Sequence, residues 1–313
     1  MTDHDQHGTT SSAALGQQHE LRHGSQRAVV VEVGGGLRQY WHGDHPVLDG
    51  YPADGMAPAA RGQLLIPWPN RLHTGRYDWD GTSHTVPVNE PDQQNALHGL
   101  TRWRSWTVES SSPTAVTMRH TLRPQPGYPF ALELEARYQL DDSGLTVTTR
   151  STNIGDADAP FGYGAHPYLT VGTDVLDEAE LQIGAETWLP TGPAQIPIGR
   201  ESVADTPFDF RRRRAIGKTR LDYTFTDLER DAEGRAWVHL TSPAGREVAL
   251  WVDRAFAYVE LFTGDTLPDV DRRRRGLGVE PMTCPPDAFR TGEDVVRLRP
   301  GAFFEAQWGI RAG

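Results

Sequence analysis

The sequence predicts an all-β fold, a large antiparallel β-sandwich, from three observations. Runs rich in β-branched and aromatic residues recur along the chain, and residues 132–140 alternate apolar and polar side chains as a strand with one solvated face does. Turn sequences such as Asp142-Ser143-Gly144 separate these runs. No segment has helical periodicity longer than about three turns, the length of an average helix.

The predicted elements follow in chain order. Residues 1–16 contain few large apolar side chains, so we expect a disordered N-terminal tail ahead of a single β-sandwich domain over residues 17–313. The three glycines at 34–36 lack the spacing of a phosphate-binding loop and indicate a turn or bulge. Strands are predicted at residues 20–22, 28–33, 106–108, 115–122, 132–140, 145–152, 237–240, 248–252, 258–262 and 303–310.

The charge balance excludes some classes of partner. The 313 residues include 31 Lys and Arg against 42 Asp and Glu, a formal net charge of −11, which argues against general affinity for nucleic acid or anionic membranes. No apolar run has the length of a membrane span, and the N-terminus lacks the pattern of a signal peptide. The single cysteine, Cys284, cannot form an internal disulfide. We therefore expect a cytoplasmic monomer or homodimer with a small-molecule partner.

Two arginine runs and four histidines are candidates for anion and metal binding. The runs at residues 211–214 and 272–275 suit either an anionic substrate group or solvated loops, and the solvated reading is favoured because charge runs usually lie on exposed faces. His42 and His45 have no third ligand nearby, and His4 and His7 lie in the predicted tail. We expect no metal site at either pair.

The stretch FGYGAHPYL, residues 161–169, carries the first candidate for chemistry. Its glycines and Pro167 suit a bent loop, and His166 lies at the centre. A histidine titrates near neutrality, so it suits proton transfer, but a buried structural histidine fits the stretch equally well. The stretch alone leaves both interpretations open.

Four further segments have unusual sequences. Asn70 and Arg71 follow a Pro-Trp-Pro stretch, His98 precedes a glycine, Asp222 stands in RLDYTFTD, and Glu280 precedes a proline-rich turn. Taken one at a time, a structural role is favoured for each: a turn cap for Asp222, a salt bridge for Arg71, a core position for His98 and an exposed carboxylate for Glu280.

In combination these segments resemble the aldose 1-epimerase (galactose mutarotase) family, from about residue 18 to the C-terminus. The resemblance implies a β-sandwich of the galactose mutarotase-like supersandwich type, a sugar cleft on one sheet, and cofactor-free interconversion of the α and β anomers of a hexose. It rests on Asn70-Arg71, Leu97-His98-Gly99, Gly127-Tyr128-Pro129, Ala165-His166-Pro167-Tyr168-Leu169, Leu221-Asp222, Phe262-Thr263-Gly264 and Val279-Glu280-Pro281.

The same resemblance implies the two catalytic roles. Glu280 matches the general base that acts on the anomeric hydroxyl, and His166 matches the general acid that acts on the ring oxygen. Opening a hemiacetal removes one proton from O1 and delivers one to O5, which a carboxylate and an imidazole can supply.

Substrate binding is implied for further residues. His98, Arg71 and Asp222 match positions that bind sugar hydroxyls and the ring-oxygen region. Asn70 and Trp68 are expected to shape the floor of the cleft. The role of Trp68 is inferred from the tendency of aromatic faces to stack on the apolar side of pyranoses.

The chain departs from the family pattern at two places. Ala165 and Pro167 flank His166 where members often have Asn-His-x-Tyr-Phe, and Glu260 stands where a glutamine is common. An acidic residue there either prefers another hydroxyl pattern or faces away from the cleft. These departures argue against galactose as the dedicated substrate.

Other activities compete with the mutarotase prediction. A phosphorylated or sulfonated hexose suits the arginines before Glu280. A glycoside hydrolase would pair Glu280 with Asp222 or Glu260 but leaves the two histidines without roles. A non-catalytic sugar-binding protein shares the fold class, since fold does not fix function. A serine or cysteine hydrolase is disfavoured because no GxSxG motif exists and Cys284 has no evident basic partner.

Overall fold

The computed structural model describes residues 9–313 and confirms the all-β prediction. Its helical segments are three 3₁₀ turns, Pro58–Ala60, Leu176–Glu178 and Val270–Arg272, and one short α-helix, α1 (Ala288–Thr291). No helix in this part of the chain is long and apolar enough to cross a membrane. The 28 strands are β1 (Thr9–Ser12), β2 (Gly16–His23), β3 (Gln26–Val31), β4 (Leu37–His42), β5 (His45–Pro46), β6 (Leu64–Leu65), β7 (Arg71–His73), β8 (Arg76–Trp79), β9 (Thr82–Thr85), β10 (Asn95–Leu97), β11 (Thr107–Ser111), β12 (Ala115–Leu122), β13 (Leu132–Asp141), β14 (Gly144–Asn153), β15 (Ala159–Phe161), β16 (Gly164–Ala165), β17 (Tyr168–Leu169), β18 (Glu180–Ile183), β19 (Ala185–Leu189), β20 (Glu201–Ser202), β21 (Arg214–Ala215), β22 (Asp222–Leu228), β23 (Ala236–Thr241), β24 (Glu247–Val252), β25 (Tyr258–Phe262), β26 (Leu277–Met282), β27 (Val296–Leu298) and β28 (Phe303–Ala312).

Two large antiparallel sheets form the body of the fold. The nine-stranded sheet has the order β11-β12-β13-β14-β28-β24-β23-β18-β21. The eight-stranded sheet has the order β20-β19-β22-β25-β26-β16-β6, and β17 pairs with β26 beside β16. Along β13 buried and more exposed residues alternate, as the sequence predicts for a strand with one solvated face.

One apolar core joins the two sheets. Leu134 and Val147 of the nine-stranded sheet belong to the same buried cluster as Leu261 and Val279 of the eight-stranded sheet. Complete burial of one such side chain contributes about 1.5–3 kcal/mol, so this shared cluster is the main force that holds the layers together.

A five-stranded sheet, β1 to β5 in order, covers one end of the nine-stranded sheet. The hydroxyl of Tyr138 on β13 donates a hydrogen bond to the carbonyl of Gly35, at 2.6 Å. Gly34 and Gly35 adopt positive φ angles of 79° and 59°, so the predicted turn at residues 34–36 is confirmed.

The predicted tail extends too far. Residues 1–8, with His4 and His7, lie outside the described part of the chain, but Thr9–Ser12 pairs with β2 in a hairpin. Expecting disorder over residues 9–16 is therefore wrong. Leu15 is 1% exposed and packs with Val31 and Tyr51. The hairpin therefore buries apolar surface, although most of its residues are polar.

Candidate active site

Strands of the eight-stranded sheet and the loops beside it line a polar cavity of about 350 Å³. Six of the eight residues that the sequence singles out line it, whereas Trp68 and Glu260 do not. The lining residues are Ala59, Ala60, Asn70, Arg71, Glu90, Leu97, His98, Arg102, His166, Tyr168, Asp222, Phe262, Thr266, Leu267, Pro268 and Glu280.

The register of β26 brings His166 and Glu280 together. Gly164 on β16 lies opposite Met282, and Tyr168 on β17 lies opposite Gly278. His166 is midway between Gly164 and Tyr168 in the sequence, and it therefore lies beside Glu280, which is midway between Met282 and Gly278. Its Nε2 atom lies 3.1 Å from Glu280 Oε1, and the two side chains are only 5% and 3% exposed.

Burial controls the protonation of this pair. It raises the pKa of Glu280 well above its usual range, helped by the negative charges of Glu260 and Asp222 and opposed by Arg71. It lowers the pKa of His166 to about 3, with Arg61 and then Arg102 adding to the shift. Both effects disfavour an imidazolium beside a carboxylate, so at neutral pH His166 and Glu280 hold one dissociable proton, and it lies on Glu280.

His98 is fixed as a neutral hydrogen-bond donor. The ring Nδ1 of His98 accepts a hydrogen bond from the backbone N–H of Asn70 at 3.1 Å, and the backbone N–H of His98 donates to the Asn70 carbonyl at 2.8 Å. Burial lowers the pKa of His98 well below the usual value, so the proton stays on Nε2. Both residues have positive φ angles, 51° for Asn70 and 63° for His98, a backbone strain often found at functional sites.

The cluster of His98, His166 and Glu280 has the composition of a metal site. Their ligand atoms lie within 4.8 Å of one another. However, metal-binding histidines usually donate their second ring N–H to an acceptor, and Nδ1 of His98 instead accepts from a donor. The donor set therefore does not fit a resident metal ion.

Arg71 and Asp222 provide polar groups at the opposite wall. Arg71 Nε and Nη2 bind both carboxylate oxygens of Glu90, at 2.9 and 3.0 Å, and Asn95 also donates to Glu90 at 2.8 Å. Burial raises the pKa of Asp222, and the charge of Arg71 opposes that shift. Glu90 lies in a segment without strand periodicity, and no sequence signal identifies it.

Trp68 does not form the sugar-binding floor that the sequence predicts. Its side chain is 2% exposed, its indole N–H donates to the Ala96 carbonyl at 3.3 Å, and its ring packs against Phe289 at a centroid distance of 5.6 Å. Because both the ring and its polar atom are satisfied by the protein, Trp68 is a core residue.

Glu260 lies next to Glu280 in the sheet but does not line the cavity. It is 3% exposed, directly opposite Glu280 on β25, and accepts a hydrogen bond from the Thr224 hydroxyl. Burial and the charge of Asp222 raise the pKa of Glu260 to about 8. The expected contact with substrate is therefore not observed, and the ionised form of Glu260 raises the pKa of Glu280.

The arginine runs do not supply the cavity with positive charge. Arg211 pairs with Asp209 and Glu186 on the surface, in agreement with the favoured solvated interpretation. In the second run, Arg274 pairs with Asp177 and Asp265, and Arg272 and Arg275 line a separate depression. Among the described residues, His42 and His45 belong to no cluster with metal-binding geometry.

Arg102 lines the cavity and has few polar contacts. Within residues 9–313 it has no carboxylate within ion-pair distance, and its Nη2 donates only a long hydrogen bond, 3.4 Å, to the Leu97 carbonyl. Burial lowers the pKa of Arg102 to about 10, so it remains charged at neutral pH. No motif in the sequence identifies this residue.

Comparison with known proteins places the chain among sugar epimerases. A family model described as aldose 1-epimerase matches residues 17–311. The chain is 35% identical over 295 residues to the uncharacterized protein YihR of Escherichia coli K12, covering 93% of this chain and 92% of that protein. It is 28% identical over 258 residues to human galactose mutarotase, covering 75% and 74% of the two chains. The crystal structure of a putative aldose 1-epimerase from E. coli K12 superposes with a TM-score of 0.82 at 22% identity, covering 98% of this chain and 99% of that one, which shows that the fold is shared.

The raised pKa of Glu260 predicts a pH-dependent effect of Glu260→Gln. A carboxyl group whose pKa is higher in the folded state stabilises the fold below the unfolded pKa, and this contribution is lost as the pH rises through about 8. The amide cannot ionise, so the variant should gain several degrees in Tm over the wild type as the pH rises from about 5 to about 9. Differential scanning calorimetry across this range measures the gain, with Glu186→Gln, an exposed position, as the control. A Tm difference that does not change with pH contradicts the assignment.

Proposed function

The chain belongs to the aldose 1-epimerase family, and on that premise we propose that it interconverts the α and β anomers of a hexose by acid–base-catalysed ring opening and closure. The observation that carries the proposal is the 3.1 Å contact between His166 Nε2 and Glu280 Oε1 at the wall of a polar cavity. The cysteine is free and buried. A cytoplasmic location, a monomer or homodimer, and independence of cofactors stay predictions.

The geometry of the pair suits the two oxygens that must react. In a cyclic sugar, O1 and O5 are bonded to the same carbon, so the base and the acid must be close neighbours. Glu280 removes the proton of the O1 hydroxyl while His166 protonates O5. The C1–O5 bond breaks and the C1=O1 bond forms. Rotation about C1–C2 followed by ring closure, with the roles of the two residues reversed, gives the other anomer.

This reaction requires a pair that holds one proton. Ring opening gives one proton to the pair and takes one from it, so the number of protons bound by His166 and Glu280 does not change. A doubly protonated pair lacks a base, and a fully deprotonated pair lacks an acid. Burial disfavours the imidazolium–carboxylate form that these roles require, so the proton held on Glu280 has to move to His166 across their 3.1 Å contact before the ring opens.

The remaining lining residues suit the hydroxyl groups of a sugar. His98 offers an N–H donor at Nε2, Arg71 offers the guanidinium nitrogen that Glu90 does not bind, and Asp222 offers acceptor oxygens. Asn70 contributes by fixing His98 and uses its side-chain oxygen to accept from the Arg71 backbone N–H, at 2.8 Å.

A glycoside hydrolase is a poorer fit to this arrangement. Such enzymes place a sugar between two carboxyl groups. Here Glu260 is outside the cavity. Asp222 lines it, but a hydrolase that paired Asp222 with Glu280 would leave the imidazole next to Glu280 without a role. The pairing of that imidazole with Glu280 supports proton exchange at a hemiacetal.

Replacement of either member of the pair should abolish most of the activity. Because one positioned proton transfer contributes about 10²- to 10⁴-fold, Glu280→Gln and His166→Asn should each slow catalysis by at least about 10²-fold. Polarimetry of freshly dissolved α-glucose and α-galactose measures the rate above spontaneous mutarotation. The exposed substitution Glu186→Gln is the control and should keep the wild-type rate.

Three results would count against the proposal. Absence of catalysed relaxation by the wild type on a panel of neutral, phosphorylated and sulfonated hexoses would leave a sugar-binding protein as the better interpretation. A wild-type rate in folded Glu280→Gln would refute the base assignment. The same rate in folded His166→Asn would refute the acid assignment.

The pKa shifts predict an unusual pH profile. Burial lowers the pKa of His166 to about 3, so the pair gains its second proton only near that value. We therefore expect no acidic limb of kcat/KM at the usual pKa of histidine, about 6.5. On the alkaline side kcat/KM should fall only above the raised pKa of Glu280. Initial rates corrected for spontaneous mutarotation measure the profile, with circular dichroism to confirm folding. A limb near the usual histidine pKa would contradict the shared-proton description.

A second candidate substrate class is a hexose with an anionic group, such as a phosphate or sulfonate. The supporting observation is Arg102, which lines the cavity without a carboxylate partner in residues 9–313. A buried charge without a partner is unfavourable, and an anionic substituent would supply charge-assisted hydrogen bonds to the guanidinium. The positive charge thus comes from Arg102 and not from the run before Glu280.

The variant Arg102→Met separates the two substrate classes. If the substrate is anionic, kcat/KM for the 6-phosphate or 6-sulfonate of a hexose should fall about 10- to 100-fold, the usual effect of losing a hydrogen bond to a charged group, while the value for the neutral hexose changes little. Arg104→Met, at a nearby exposed arginine, is the matched control. Equal activity of the wild type on neutral and anionic hexoses, unchanged in Arg102→Met, would rule out the anionic class.

A further inference from the structure

Arg61 is buried beside the candidate active site without lining its cavity. The residue is 2% exposed. Its Nε and Nη2 atoms donate to Oδ2 of Asp49 at 3.2 and 2.9 Å, and Nη1 donates to the carbonyl of Pro58 at 3.3 Å. Each nitrogen of the guanidinium therefore has a partner, and the side chain is held in one position.

The guanidinium of Arg61 begins a stacked column that ends at His166. Its Cζ atom lies 4.0 Å from the ring centroid of Tyr168. The Tyr168 ring also stacks on the imidazole of His166, with the ring centroids 4.9 Å apart and the ring planes inclined by 7°. The Tyr168 hydroxyl donates to the Ala59 carbonyl at 3.1 Å, which fixes the middle of the column.

The column matters because no hydrogen bond orients the second nitrogen of His166. Imidazoles that transfer protons are commonly held by a carboxylate or carbonyl at the nitrogen that does not react. In residues 9–313, Nδ1 of His166 is buried and has no partner. The ring is held instead by packing, with Tyr168 against its face and His98 edge-on at 5.2 Å.

The backbone couples the same two segments. The N–H of Gly62 donates to the carbonyl of His166 at 2.8 Å, and the N–H of His166 donates to the carbonyl of Gln63 at 3.1 Å. Arg61 therefore sits on the segment that pairs directly with the loop of His166, and a movement of one segment moves the other.

We propose that Arg61 is a positioning residue for His166: through Tyr168 it holds the imidazole against Glu280. The inference rests on the acid–base role proposed above for His166. Arg61 itself touches no substrate, because it does not line the cavity.

The charges around His166 show how Arg61 differs from its neighbours. Of the charged groups, Arg61 lowers the pKa of His166 most, ahead of Arg102 and Arg71. The groups that face the imidazole from the surrounding segments are Arg61, Arg71, His98, Arg102, Tyr168 and Glu280. Removal of Arg61 should therefore raise the pKa of His166 and allow the ring to turn.

Two variants separate charge from position. Arg61→Met combined with Asp49→Asn removes the buried ion pair as a unit, while Arg272, which also contacts Asp49 at 3.5 Å, keeps its contact with Asp269. Arg61→Lys keeps the charge but loses the planar face that stacks on Tyr168. The control is Arg38→Met, which replaces another buried arginine that donates to the Tyr51 carbonyl at 3.0 Å.

Two measurements test the proposal on the full-length protein. NMR titration gives the pKa of His166, with its resonance identified by its loss in His166→Asn. The double variant should bind a proton at His166 about tenfold more tightly, and its kcat should fall about tenfold while KM stays within about twofold. Arg61→Lys should keep the wild-type pKa with a reduced kcat. Arg38→Met should match the wild type in both measurements.

Several outcomes would overturn the proposal. One is a folded double variant in which the pKa of His166 and kcat equal those of the wild type. A second is a double variant whose KM rises while kcat stays constant. A third is a fully active Arg61→Lys, and this variant decides the question if the double variant does not fold. Loss of mutarotation in every protein including the wild type would refute the proposed function, whereas the NMR titration would still decide the role of Arg61.

Discussion

The candidate site depends on the hydrogen-bonded register of one strand, β26. On one side of the strand, the pairs Gly164–Met282 and Tyr168–Gly278 bring His166 past Glu280. On the other side, Glu260 lies directly opposite Glu280. Because side chains alternate between the two faces of a strand, a slip of one residue would turn Glu280 away from both partners. The apolar face of the eight-stranded sheet, packed into the core shared with the nine-stranded sheet, fixes the register and thereby the acid–base pair.

A second constraint is the burial of many charged groups in a small volume. An isolated buried charge costs several kcal/mol, which the protein offsets with ion pairs such as Arg71–Glu90 and Arg61–Asp49. Glu280 has no such cation beside it and shares a proton with His166 instead. The same desolvation destabilises the ionised forms and keeps the shared proton on Glu280, so proton transfer to His166 precedes ring opening.

Sequence patterns predict the fold better than they predict the site. Alternation such as that of β13 reports directly on which face is buried, so the all-β class and the main strands follow from it. The motif residues Asn70, Arg71, His98, His166, Asp222 and Glu280 converge on one cavity, as the family resemblance implies. Trp68 could not be placed in the same way, because an aromatic side chain before a loop suits the core and a sugar platform equally. Glu90, Arg102 and Arg61 enter the region through tertiary packing alone, and their positions follow from pairings that single-sequence periodicity does not encode. The hairpin at residues 9–16 was missed because its burial depends on Leu15 and on partners far along the chain.

The central claim is that His166 and Glu280 move protons so that the C1–O5 bond of a sugar opens, while the C1–O1 bond stays intact. Catalysed anomerisation in water enriched in oxygen-18 tests this claim most directly, with mass spectrometry and NMR reporting the label at C1. Ring opening predicts many catalysed anomerisations for each labelled oxygen that enters, since only slow hydration of the open-chain aldehyde exchanges O1. Incorporation of one labelled oxygen with every anomerisation would mean that water displaces O1 directly, so that the C1–O1 bond breaks instead of the C1–O5 bond, and it would contradict the ring-opening mechanism.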